Sequence, residues 1–181
     1  MNERLWYRSG LIGTFAGILL LAGCAGTGES GQASATETQR QSTGVGNVEI
    51  FNIATADPND VIDALLRDGR AILRGINFAF DSAELDGNAY ASASRIGTIL
   101  EQLPELRLAV VGHTDNTGDF QYNMGLSERR AQAIVSALRK DFSVGPERVV
   151  GVGVGPLAPI TSNATDEDKA QNRRVELVVI N

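Results

Sequence analysis

Apolar residues recur at helical spacing in two stretches of the chain, each followed by a short apolar run without that period. Ile96, Ile99, Leu100 and Leu103 fall at i, i+3, i+4 and i+7, and Pro104 enforces a stop. Leu126, Ile134 and Leu138 share one stripe of a longer second stretch. This alternation predicts helices packed on a single sheet. A short helix opens at Asp57-Pro58, where Asp57 suits the cap and Pro58 the first helical position, and Gly69 ends it. Val61, Ile62, Leu65 and Leu66 give that helix its apolar face. Strands are expected over Ala71–Phe80, Leu106–Gly112, Arg148–Val154 and Arg174–Ile180. Helices are expected over about Asp86–Leu103 and Gln121–Lys140, with loops at His113–Phe120 and Gly155–Gln171. The predicted fold class is α/β: a two-layer sandwich with two main helices on a mixed four-stranded sheet, in the order β-α-β-α-β-β. The sheet is mixed because the short final connection can return antiparallel.

The N-terminus reads as an address. Arg4 and Arg8 precede an apolar stretch, Leu11 to Leu21, which falls short of the roughly 20 residues of a bilayer span. It ends in Leu21-Ala22-Gly23-Cys24, which resembles the lipobox of bacterial lipoproteins. The resemblance implies a signal peptide over residues 1–23 and acylation of Cys24. Ala25, in place of Asp, implies sorting to the outer membrane. The alternative is an ordinary signal with an incidental cysteine. Residues 24–47 are rich in Gly, Ser, Thr, Gln and Ala and read as a flexible linker. Residues 48–70 form a leading helix segment, and 71–181 the folded domain.

Composition removes several function classes. Net charge is −6, a poor basis for non-specific nucleic-acid binding. One cysteine and one histidine exclude zinc sites built from several such ligands. No cofactor is expected. Ser127 has no evident base, Asp81 and Glu84 stand in a turn, and Gly151 to Gly155 runs into Pro156 rather than a helix. That glycine run is expected to pack closely and turn. Asp166-Glu167-Asp168 reads as a solvated loop face, and His113 as a local hydrogen-bonding residue of its loop.

One charge interrupts the core pattern. Arg130 lies on the stripe of Leu126, Ile134 and Leu138. A guanidinium there needs a carboxylate or carries a desolvation penalty. The nearest candidate in sequence is Asp115, in a loop that the chain order brings near the helix start. Two readings follow. One is a structural salt bridge between them. The other is a cleft with an acidic and a basic end, suited to a ligand with both an ammonium and a carboxylate.

Five motifs in order bear on that choice: Phe80-Asp81-Ser82-Ala83, Gly112-His113-Thr114-Asp115, Asn123 ahead of Leu126-Ser127, Leu126-Ser127-x-x-Arg130-Ala131, and Asn172-Arg173-Arg174-Val175-Glu176. Together they resemble the OmpA-like peptidoglycan-binding domain over about residues 70–181. With the lipobox, the chain resembles lipoproteins of the peptidoglycan-associated type. The resemblance implies an OmpA C-terminal-domain-like fold and non-covalent binding of the stem peptide at diaminopimelate, tethering the outer membrane to the cell wall. It gives the ligand ammonium to Asp115, the carboxylate to Arg130 and a supporting role to Arg173. Asp81, Ser82, Thr117, Asn123, Leu126 and Asn172 complete the implied binding set. The implied partners are peptidoglycan, the outer membrane through a lipid on Cys24, and other envelope proteins. No catalysis is implied. The alternative function is a wall-remodelling enzyme or envelope assembly factor that uses the domain for targeting.

Overall fold

A computed structural model describes residues 48–76, 78 and 82–180. The expected signal peptide, Cys24, the linker and Asp81 lie outside the described residues. The elements run β1 (Ile50–Asn52), α1 (Pro58–Asp68), β2 (Arg70–Arg74), α2 (Gly87–Gln102), β3 (Leu108–His113), α3 (Phe120–Asp141), β4 (Val149–Gly155), α4 (Asp166–Asn172) and β5 (Val175–Val179). The sheet order is β1-β2-β5-β3-β4. β1 lies parallel to β2 and β3 parallel to β4, while β5 is antiparallel to both neighbours.

The mixed sheet and the α/β class agree with expectation, and the details add to it. The last strand enters the middle of the sheet instead of pairing beside β4. Its sequence suits that place, because Val175, Glu176 and Leu177 are all buried. There are five strands rather than four, since the three-residue β1 pairs with β2 through Ile50↔Ile72 and Asn52↔Arg74. β2 stops at Arg74, well before Phe80, because Gly75 takes a φ of 86°, outside the strand region. The expected loop 155–171 contains α4.

Alternation sorts the two faces of the sheet. Ala71, Leu73, Leu108, Val110 and Leu177 join one core with Val61 and Leu65 of α1, Ile96 and Leu100 of α2, and Ile134 and Leu138 of α3. Phe51 and Ile53 belong to the same core, so residues 48–70 fold against the sheet. The other face carries Arg70, Arg74 and Glu176, with Val150 and Val152 exposed at the β4 end.

Local chemistry sets the helix ends. Asp57 caps α1 by accepting from the Asn59 amide, and Gly69 closes it with its N–H on the Leu65 carbonyl. Leu66 is exposed, not part of the apolar face; Ala64 is buried instead. Five residues at 100° each put position 66 some distance around the helix from Val61. Asp86 caps α2 and Asp119 caps α3.

α3 lies directly on strand backbone. A Cβ on Gly112 would overlap the Ser127 carbonyl, and one on Gly153 would overlap the Glu128 amide. Ser127 is fully buried; its Oγ donates to the Met124 carbonyl at 2.8 Å and accepts from the Gly155 amide at 2.9 Å. The glycine run of β4 therefore packs closely, as expected. β4 is also an edge strand. The carbonyls of Val149 and Gly151 accept from Arg139 Nη2 at 2.6 Å and Gln132 Nε2 at 3.0 Å.

These contacts predict that Gly112→Ala is destabilising, because the new methyl group meets backbone that cannot rotate away. The expected loss is about 1–3 kcal/mol in urea unfolding. Gly87→Ala, with nothing within 4 Å of its Cβ position, is the control and shifts stability by at most about 0.5 kcal/mol. Equal stability of the two variants would contradict the close helix–strand approach.

Candidate functional site

The end of β3 is held from both sides. The His113 amide donates to the Arg174 carbonyl and the Thr114 amide to the Gly155 carbonyl, each at 3.0 Å. The pairing with β4 shifts by one residue between Gly112 and His113. The next residue, Asp115, thereby lines an open cleft of about 770 Å³. Asp115 is nearly buried. Its Oδ1 accepts from the Thr117 amide at 2.9 Å and its Oδ2 from Arg173 Nη1 at 2.6 Å. Burial would raise its pKa, but the Thr117 amide and the Arg173 guanidinium outweigh it and hold the carboxyl below the usual range.

The other walls come from three elements. Asn123, on the first turns of α3, donates from Nδ2 to the Thr117 carbonyl at 2.8 Å and fastens the loop. Leu126 and Arg130 follow on the same helix and line the cleft. Arg130 Nε donates to the Ser82 carbonyl at 3.0 Å, and its guanidinium lies 5.1 Å from the centre of the Phe78 ring. Arg173 caps the C-terminus of α4, whose Asp166 and Lys169 also line the cleft.

The structure therefore brings together Asp115, Arg130, Arg173, Thr117, Asn123 and Leu126. Ser82 takes part through its carbonyl, while its Oγ accepts from the Glu84 amide. Asn172 stands elsewhere. It is fully buried, accepts from the amides of Ile160 and Thr161, and donates to the Thr161 carbonyl, so it holds a loop instead of lining the cleft. The ion pair of Asp115 is with Arg173, not with Arg130 as the nearest-candidate argument had it. Lining residues outside the expected binding set include Lys169, Asp166 and Tyr122. A signal existed for the first two. Thr165 caps α4 by accepting from the Asp168 amide, and acidic residues fill the first turn, a helix-start pattern.

Behind the cleft lies a buried charged group. Arg174 Nε and Nη2 donate to Glu176 Oε1 at 3.0 and 2.5 Å, and Nη2 also donates to the Ala158 carbonyl. His113 Nε2 is 3.3 Å from Glu176 Oε1, but neither ring nitrogen makes a hydrogen bond among the described residues. The local role expected of His113 thus falls to its backbone amide. Burial, with the Arg174 charge, pushes the His113 pKa down to about 4 against the pull of Glu176. Among the described residues, no group of three His, Cys, Asp or Glu side chains is placed to hold a metal ion.

Comparison with known proteins adds a family match. The model of the OmpA family matches residues 77–173. The outer membrane porin F of Pseudomonas aeruginosa is 40% identical over 104 residues, which cover 58% of this chain and 30% of the porin. The chain spans about a third of the length of the first curated relatives it matches. The peptidoglycan-associated lipoprotein of Legionella pneumophila is 28% identical over 178 residues, covering 98% of this chain and 97% of that one. The crystal structure of the peptidoglycan-associated lipoprotein from Burkholderia pseudomallei superposes with a TM-score of 0.53 at 27% identity, covering 68% of this chain and 100% of that one.

The buried His113 predicts a defined pH dependence of stability. Its pKa falls from 6.5 to about 4 on folding, so the unfolded chain takes up a proton that the folded chain refuses. Stability is full above the unfolded value and is lost as pH falls from there toward 4. From about pH 7 to about pH 5 the loss is about 2 kcal/mol. The chain has one histidine, and Asp115 stays ionised across this window. Urea unfolding at both pH values should show the loss in the parent protein and a flat response in His113→Gln. An equal loss in the variant would assign the effect to another group.

Proposed function

The chain belongs to the OmpA family, and on that premise we propose that it binds peptidoglycan non-covalently and ties the outer membrane to the cell wall. One observation carries this reading: a carboxylate kept ionised in the same open cleft as two guanidinium groups. Asp115 takes the ammonium of diaminopimelate. Arg130 takes the carboxylate through its planar fork, which the Ser82 carbonyl orients. Arg173 supports the ligand's carboxylate groups. Thr117 and Asn123 keep the loop in place, Leu126 meets the methylene chain, and Asp81 completes the ligand-binding set. Asn172 contributes indirectly, by anchoring the segment before Arg173. The names of two relatives, both peptidoglycan-associated lipoproteins, support the same ligand.

The activity is binding without bond cleavage. Residues 1–23 direct export, Cys24 carries the acyl chains, and residues 24–47 are the tether to the wall-binding domain. Each buried methylene of such a chain contributes ~0.8 kcal/mol, so two or more chains hold the protein on the membrane.

Purified sacculi test the reading. The protein should sediment with sacculi and release no soluble muropeptides; release would mark a remodelling enzyme instead. Asp115→Ala and Arg130→Ala should each weaken retention by about 10- to 100-fold, the worth of one charge-assisted hydrogen bond, while unfolding stays cooperative. Retention at the parental level would overturn the assignment. Mass spectrometry of the mature N-terminus tests Cys24 separately: the expected mass is that of an acylated cysteine.

A further inference from the structure

We infer that the Asp115–Arg173 ion pair is a selectivity latch: Arg173 occupies the ammonium position of the cleft and yields it only to a ligand that brings its own carboxylate. The inference rests on reading the cleft as a site for a zwitterion. Asp115 holds two donors of different character. The Thr117 amide is backbone and fixed. The Arg173 guanidinium ends a long side chain that is 48% exposed, and its one hydrogen bond among the described residues is to Asp115. The Asp115 side chain is only 12% exposed, so Arg173 can swing out to solvent only when another cation takes its place on the carboxylate. The neighbouring arginine shows the contrast. Arg174 has a side chain only 2% exposed and donates to a carboxylate and two carbonyls, so it is locked.

The charges around the cleft decide what can displace Arg173. Among the described residues, Asp115, Asp166, Arg130, Lys169 and Arg173 carry the charges that line the cleft. A bare ammonium at Asp115 would push Arg173 back among like charges with nothing to pair it. A bare carboxylate brings no cation to replace Arg173 on Asp115, so it leaves the Asp115–Arg173 pair closed. A ligand with both groups exchanges partners: its ammonium replaces Arg173 on Asp115, and its carboxylate receives Arg173. Only this exchange leaves both Asp115 and Arg173 paired again.

Three probes of one carbon skeleton separate these cases. Diaminopimelate carries both groups, cadaverine lacks the carboxylates and pimelate lacks the amines. NMR titrations on the full chain should rank diaminopimelate at least about tenfold tighter than either of the others. In Arg173→Gln, cadaverine should bind about tenfold more tightly and diaminopimelate about tenfold more weakly. Arg173→Lys keeps a cation on Asp115 and should keep cadaverine out. Should the glutamine variant fail to fold, Arg173→Ala reads the same gain. Unchanged or weaker cadaverine binding, beside intact diaminopimelate binding by the parent, would overturn the latch alone. So would a cadaverine gain that survives in the Asp115→Asn, Arg173→Gln double variant. No diaminopimelate binding by the parent would overturn both the latch and the zwitterion reading beneath it.

Discussion

The site depends on a contact between backbones. α3 rests on β3 and β4 where Gly112 and Gly153 present no side chain, and the buried Ser127 ties the helix to Gly155. Asn123 and Arg130 lie about one turn before and after Ser127, on nearby faces of the helix. Asp115 follows Gly112 by three residues. Pinning the helix at Ser127 therefore sets the spacing between the acidic loop and the basic side chain without direct contact between them. Side chains alone would not give that precision, because each added rotamer adds play.

Three consecutive residues divide the work on the opposite wall. Asn172 turns inward and holds the loop at Ile160 and Thr161. Arg173 reaches the cleft, and Arg174 goes beneath it to Glu176. The chain is leaving α4 and entering β5 here, so successive side chains diverge. A buried guanidinium at Arg174 is tolerable only because a carboxylate and two carbonyls receive it. Burial first, and the Arg174 charge second, keep His113 neutral. Arg174 is thus held by buried pairing, while Arg173 beside it stays half exposed.

Most of the fold was legible where periodicity and capping agreed. α1, α2, α3, β3 and β4 lie close to their expected spans because Asp57, Pro58, Asp86 and Pro104 mark their limits. β1 was not legible, since three residues carry no period and the strand exists only by pairing with β2. α4 was hidden because its one buried residue is Asn172, so it shows no apolar face. In the site, Arg130 announced itself by interrupting an apolar stripe. The true partner of Asp115 did not, because Arg173 is 58 positions later and no local spacing connects them. Lys169 and Asp166 reach the cleft only through a helix that composition disguised.

The capped carbonyls of β4 have a consequence apart from ligand contact. A valine-rich strand at the rim of a sheet invites another chain to extend it. Here Arg139 and Gln132, two residues of α3, occupy the carbonyls of Val149 and Gly151 from the side. Crowding of copies raises their local density, and density is what turns open rims into fibrils. The helix that lines the cleft on one flank thus closes part of the sheet rim on another.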